Sequence, residues 1–558
     1  MEGKLTHLDF DAAIDFGATG VWLQDSSHCV PPWTPLFGWY WASFCDFGGC
    51  GAMEKISQPF AKALVMRLNN GGVYYGFFAA TDEDEVRERE AKFREVMRPY
   101  LVEGGNNWEQ VFKDELLPEY QRLKKFALKE ATAHELWLHV EDLFAVTRKM
   151  WYLHIFWMYA TWCPYVLFER LTQQLLGIGD TDPQFLELVT GFDNKNFQIE
   201  RRLWLLSKQA AELGLKNVFM ESKPQDVVST LQDSESGAAW LSHFREFIDE
   251  DGWRSQRRAE FAPTWKEEPT PAIEVIKLYL RRDGEFDLDS QREGAVQRRL
   301  AAEQDILSKV PEEQRGWFET LMKAAQQSGP YGEGHSYYCE DYCFGLTRRA
   351  FVEIGRRFAA AGAIDSSEDI FFLLPDEIRK VLFVPDRYDL RAIIRERRTD
   401  WEAACEHPNP PFMLAEGVTP DDITKNLIQM ADPIFFKALM GVLPQVRPEL
   451  EADLYGTTGS PGIAEGIARV VVSDSDLATI QPGDILVAAT TAPSWTPVFH
   501  LIKGAVIDRG GSLAHAAIVS REFGIPLLIN TLEGTQKIKS GQRIRVDADL
   551  GAVFVLDK

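Results

Sequence analysis

A histidine set one residue into a helix, behind a glycine pair, is placed to carry a phosphoryl group. His515 has that setting in RGGSLAHAAIVSREFGIP, residues 509–526. Gly510 and Gly511 permit a tight turn, and the periodic run from Ala514 to Phe523 predicts a helix that stops at Gly524, ahead of Pro526. The unpaired N–H groups of the first turn and the positive end of the helix dipole favour an anion there and disfavour an extra proton on the imidazole. A neutral ring nitrogen can then attack a phosphoryl donor, dividing one difficult transfer into two easier ones. The competing reading of the same residues is a core histidine on a strand-to-helix turn.

The elements that must hold this histidine are short apolar strands separated by glycine turns. They lie in SPGIAEGIARVV (460–471), IQPGDILVAATTAPSWTPVF (480–499), GAVIDRGG (504–511) and GQRIRVDADLGAVFVL (541–556). With His515 these segments, over residues 451–558, closely resemble the swivelling phosphohistidine domain of the phosphoenolpyruvate-utilising enzymes. Phosphoenolpyruvate synthase, pyruvate phosphate dikinase, rifampicin phosphotransferase and phenylphosphate synthase share that domain. The resemblance implies that His515 becomes phosphorylated and moves the group between two sites, with Gly510, Gly511 and Ser512 around the phosphate. The family usually has Ser or Thr before the histidine, where this chain has Ala514, and Ser512 is the nearest hydroxyl able to replace it.

A chain of 558 residues has room for two or three cores. The net charge of -24 argues against nucleic acid or an anionic membrane as partner. The acidic opening, MEGKLTHLDFDAAIDFG, carries no apolar signal segment, and seven scattered cysteines suit reduced thiols, so a cytoplasmic location is expected. Neither Cys45/Cys50 nor Cys339/Cys343 has a second ligand cluster at zinc spacing, and no metal site is expected. From residue 80 the periodicity is mainly helical, in 83–101, 107–129 and 131–150, again from 271, and in charged stretches near 291–327 and 374–404. The apolar run 150–168 is nearly long enough to span a membrane. Its His154, Pro164 and closely flanking charges predict a buried aromatic helix instead. The polar stretch from residue 250, with Pro263, Pro269 and Pro271, is expected to be a surface excursion.

The predicted fold class is multidomain, α plus α/β. A mainly helical domain covers 1–443, a hinge covers 444–458 where Pro444, Pro448 and Gly456 end helical periodicity, and a small β/β/α swivelling domain covers 459–558. Residues 22–36, WLQDSSHCVPPWTPL, and the block EGHSYYCED with its following helix resemble the acceptor-binding domain of rifampicin phosphotransferase and phenylphosphate synthase. That resemblance implies an acceptor domain whose general base is His335, or His28 with Asp25 to orient it. Arg348 and Arg349 are candidate clamps on phosphoryl oxygens, because a guanidinium grips two oxygens at once. Trp33, Trp39, Tyr40 and Tyr337 are candidate walls of a pocket for an aromatic ring, against the alternative that such rings are ordinary core.

The chain has no Walker phosphate loop, and neither an ATP-grasp domain nor a C-terminal barrel is recognisable. The expected donor site is therefore on an ATP-grasp partner subunit that binds ATP and Mg2+, with no cofactor held stably by this chain. The resulting expectation is the histidine-carrying subunit of a two-component phosphotransferase that converts a phenol or alkylphenol to an aryl phosphate, with AMP and phosphate as the other products. An antibiotic or other alcohol as acceptor, and a non-catalytic phosphohistidine carrier, remain as alternatives.

Overall fold

The computed structural model describes residues 22–24, 32–69, 72–80, 82–102, 106–255, 261–282, 287–405, 413–414, 441, 444, 446–472, 474–492 and 495–557. They fall into two compact units. One is drawn from Met1–Ala160, Ala259–Phe261 and Tyr338–Phe435, the other from Thr161–Arg258, Ala262–Tyr337 and Phe436–Lys558. The division falls within one 44-residue helix, Ala133–Leu176.

The first unit combines helices with a four-stranded sheet of order β2-β3-β1-β4, where β1 is Trp22–Gln24, β2 Ala61–Asn69, β3 Gly72–Ala79 and β4 Met413–Leu414. The periodic segments predicted as helices form Glu83–Val102, Trp108–Glu115, Leu117–Lys124, Pro375–Leu382 and Arg391–Cys405. The aromatic run 150–168 is helical and mostly buried, and among the described residues no helix is long and apolar enough to cross a membrane. Gly48, in the helix Pro35–Ile56, lies against the backbone of Trp151, where an added Cβ would sit 2.5 Å from the Trp151 carbonyl carbon. Two helix backbones meet there with no room for a methyl group.

The second unit holds an eight-stranded sheet of order β5-β12-β11-β7-β8-β9-β10-β6. Its strands are β5 (Leu454–Tyr455), β6 (Thr457–Ser460), β7 (Ile463–Val471), β8 (Ile485–Ala488), β9 (Gly504–Ile507), β10 (Leu527–Ile529), β11 (Arg543–Asp547) and β12 (Ala552–Val555). Strands β7, β8, β9 and β10 run parallel, and antiparallel partners flank them. The runs ILVA and GAVI are apolar at every residue because both faces are covered. Leu486, Ala488, Ala505 and Ile507 join one core, whereas Ile485, Val487 and Val506 join the other.

The helix His515–Phe523 lies on the first of these cores through Ala516, Ala517 and Val519. It ends at Gly524 in the left-handed conformation (φ 65°), as its sequence predicts. The unit's helices include the end of the long helix, Lys195–Glu212, Glu235–Asp251, Thr270–Arg281, Leu288–Lys309, Glu312–Ala325 and Ser328–His335. One expectation is overturned here. The described residues on either side of 256–260 are not a surface excursion: Trp253, Arg254, Thr264 and Trp265 are buried. A Ser255–Thr264 bridge and a bond from the Trp265 N–H to the Arg254 carbonyl (2.8 Å) fold them inward despite the prolines.

Replacing Gly48 with Ala is expected to destabilise the protein by about 1–3 kcal/mol through overpacking. Urea unfolding of G48A beside wild type measures this, and an unchanged midpoint would contradict the contact.

Candidate active site

His515 is the first residue of its helix, and the turn before it is tightly specified. The Asp508 carboxylate accepts from the Thr531 and Thr535 hydroxyls and from the Gly534 and Thr535 N–H groups, anchoring the end of β9. Gly510 follows at φ 134°, where a Cβ would also meet Ala514 Cβ at 2.9 Å, and its N–H donates to Asn530 Oδ1. Arg521, further along the helix, donates to the Ser512 carbonyl (2.8 Å) and the Gly459 carbonyl (3.0 Å), tying turn, helix and β6 together.

The imidazole is buried, with 3% of its side chain exposed. Its Nδ1 faces both oxygens of Glu333, at 3.0 and 3.1 Å. An ionised carboxylate can only accept, so the hydrogen of the neutral ring belongs on Nδ1 and the lone pair on Nε2. Nε2 is buried without a hydrogen-bond partner among the described residues. The Phe499 ring stands nearly perpendicular to the imidazole, 6.2 Å away. The arrangement leaves Nε2 facing no hydrogen-bond partner among the described residues, at the positive end of a helix.

Glu333 belongs to a buried polar chain. Asn196 Nδ2 donates to Glu333 Oε2 and to the Glu333 carbonyl, both at 2.9 Å. Arg254 donates to Asn196 Oδ1 and lies 3.5 Å from Glu200 Oε1, while the Tyr279 hydroxyl donates to Glu200 Oε2 at 3.1 Å. Burial raises the Glu200 carboxyl to about 7, with Arg254 and the Tyr279 bond pulling the other way.

Three further contacts hold the helix and its turn. Ser512 Oγ donates to Asp180 Oδ2 (3.0 Å). Glu522 accepts from the Gly191 N–H (2.8 Å) and sits 3.6 Å from Arg292. Gly332 leaves room for Ile518, whose Cδ1 would lie 2.9 Å from a Cβ there. Burial raises the Glu522 carboxyl, and Arg292 partly offsets this.

The other residues singled out from sequence are distributed as follows. His335 shares a helix with Glu333 but lies two residues on, a spacing that turns the two side chains to different faces. Its ring stacks on Tyr331, and its Nδ1 is 2.8 Å from the Tyr331 carbonyl. Tyr337 donates to the Glu250 carbonyl and lies under the Lys195 ammonium. The expected phosphate hydroxyl of Ser512 is directed at Asp180. In the first unit, Arg348 is buried and forks onto Glu368 (2.9 and 3.0 Å) and the Phe261 carbonyl, and Arg349 is half-buried. Trp33 packs on Phe37 and Trp41, and Trp39 on Phe44 and Phe144. Tyr40 bonds Thr147 at 2.7 Å within the same aromatic core. His28 and Asp25 lie outside the described residues. That unit also has an open cavity of about 770 Å³ lined by Phe47, Cys50, Gly51, Val65, Arg148 and Tyr152, among others. Sequence reasoning missed Glu333, Asn196, Arg254 and Glu200. Only Glu333 had a local signal, its place beside His335 in EGHSYYCED.

Residues 480–551 match the mobile domain of PEP-utilising enzymes, and residues 154–333 match the fourth domain of rifampicin phosphotransferase. The first match contains His515, and the second ends on Glu333. Among its relatives is an uncharacterized phosphotransferase, YvkC, of Bacillus subtilis (strain 168), 26% identical over 98% of this chain and 63% of its own length. The rifampicin phosphotransferase of Bacillus cereus is 27% identical over 56% of this chain and 34% of its own. The phosphoenolpyruvate synthase of Aeropyrum pernix is 40% identical over 108 residues, 19% of this chain and 13% of its own. The chain therefore spans less than two thirds of these relatives.

The Glu200 environment makes stability depend on pH. Its folded-state value, about 7, lies above its ordinary 4.5, so its contribution is full below pH 4.5 and is lost as pH rises through 7. The wild-type unfolding midpoint, taken relative to Glu200→Gln, should fall between pH 4.5 and 7. Parallel pH profiles for the two proteins would refute the assignment.

Proposed function

We propose that this chain is a phosphotransferase in which His515 Nε2 takes a phosphoryl group from a nucleotide donor and passes it to a hydroxyl of an apolar acceptor. The observation that carries this reading is the His515–Glu333 pair: Nδ1 held at 3.0 and 3.1 Å from a carboxylate, and Nε2 without a hydrogen-bond partner among the described residues. Nε2 attacks phosphorus, the donor leaves with its bonding pair, and the ring becomes cationic while its proton stays on Nδ1. Glu333 neutralises that charge, the part a carboxylate plays beside a catalytic histidine in hydrolases. In the second step an acceptor oxygen attacks phosphorus, its proton passes to a base, and the N–P electron pair returns to Nε2.

The donor in this reading is ATP, bound with Mg2+ on an ATP-grasp module of a separate subunit. One phosphoryl group passes to Nε2, water takes another as phosphate, and AMP is left. The acceptor is a phenol or alkylphenol. The 770 Å³ cavity, walled by Asp46, Glu54, Arg148 and Lys149 as well as Phe47, Val65 and Tyr152, is of a size that takes small-molecule ligands. A bulkier acceptor is the second reading, favoured by the match of residues 154–333 to a rifampicin phosphotransferase domain.

Intact-mass measurement of the chain with an ATP-grasp partner, ATP and magnesium tests the reading. A phosphoryl adduct is expected on wild type and not on His515→Ala, and it should be discharged by p-cresol as cresyl phosphate forms. Discharge by rifampicin instead would select the second acceptor class. An adduct on His515→Ala, or none on wild type, would reject the phosphohistidine.

A further inference from the structure

Resting on the phosphohistidine reading of His515, we propose that Asn196 is a positioning residue for phosphoryl transfer, holding the Glu333 carboxylate square to the imidazole while the buried Arg254–Glu200 pair fixes Asn196. The donors and acceptors allow one orientation. Arg254 can only donate and the Glu333 carboxylate can only accept, so the amide oxygen of Asn196 faces the first and its nitrogen the second. That nitrogen reaches both the side chain and the carbonyl of Glu333, at 2.9 Å each. The carboxylate is therefore fixed relative to its own backbone, with its two oxygens nearly equidistant from His515 Nδ1.

Behind Asn196 the chain runs through two ionisable groups, Arg254 and Glu200, whose side chains are 1% exposed. It ends at the Tyr279 hydroxyl. Apolar side chains would fill this volume at lower desolvation cost. At its other end the series of bonds reaches His515 Nδ1, and what it sets there is the ring's tautomer. With Asn196 removed, Glu333 can rotate, the proton can occupy either nitrogen, and phosphorus can be attacked by Nδ1 as well as Nε2.

The test uses the full chain labelled with 15N-histidine, in wild type, Asn196→Ala and Glu200→Gln, with phosphoramidate as donor. In that reaction the ring nitrogen bonds to phosphorus, the P–N bond of phosphoramidate breaks, and ammonia leaves. Wild type is expected to show the Nδ1–H tautomer and phosphorylation at Nε2. Asn196→Ala is expected to show mixed tautomers, phosphorylation about tenfold slower, as for loss of an outer-shell partner, and part of the product on Nδ1. Glu200→Gln, nearly isosteric, should shift rate and tautomer the same way by less, and it decides the matter if Asn196→Ala does not fold. Wild-type tautomer, rate and isomer in the folded variants would overturn the proposal. If wild type takes no phosphoryl group, the phosphohistidine reading fails, and the nitrogen shifts still decide whether Asn196 sets the tautomer.

Discussion

An imidazole can keep its single proton on either nitrogen, and the bond between Glu333 and His515 removes that choice. A carboxylate cannot donate, so it commits Nδ1 to hydrogen and Nε2 to the lone pair. In water such a bond would have a small net effect. With both side chains 3% exposed there is no solvent to compete with it.

The helix His515–Phe523 makes this bond available by having two working faces. Ala516, Ala517 and Val519 fasten it to the sheet, and their small size brings the helix close. His515, Ile518 and Glu522, three and four residues apart, share another face, and each meets the helical part of the same unit, at Glu333, Gly332 and Gly191 respectively. The sheet's doubly covered parallel strands supply a rigid base for this arrangement.

Much of the sheet unit was legible in the sequence, because its signals are local. Glycine turns, unbroken apolar runs and the stop at Gly524 each lie within a few residues of the element they define. Strands β5 and β10 lie outside the segments expected to be strands, and β6, TTGS, is polar and pairs with β10. The surroundings of His515 were less legible. EGHSYYCED offers both a carboxylate and a histidine, and which of them faces His515 depends on the rotational phase of a helix 182 residues away. Arg254 was misread because charges and prolines ordinarily mark a solvated segment, whereas here the charge is spent against Glu200 and Asn196. Tyr40 and Trp33 drew attention as possible pocket walls and are packed aromatic core.

The separations along the chain carry a consequence for folding. Asn196 and Glu333 are 137 residues apart, and Ser512 lies 332 residues from Asp180. Closing loops of that length is entropically unfavourable until the intervening chain has become compact, and non-local contacts of this kind form slowly. The environment of His515 therefore depends on contacts between parts of the chain far apart in sequence. A partly folded chain carries the same residue with either nitrogen protonated and water at both.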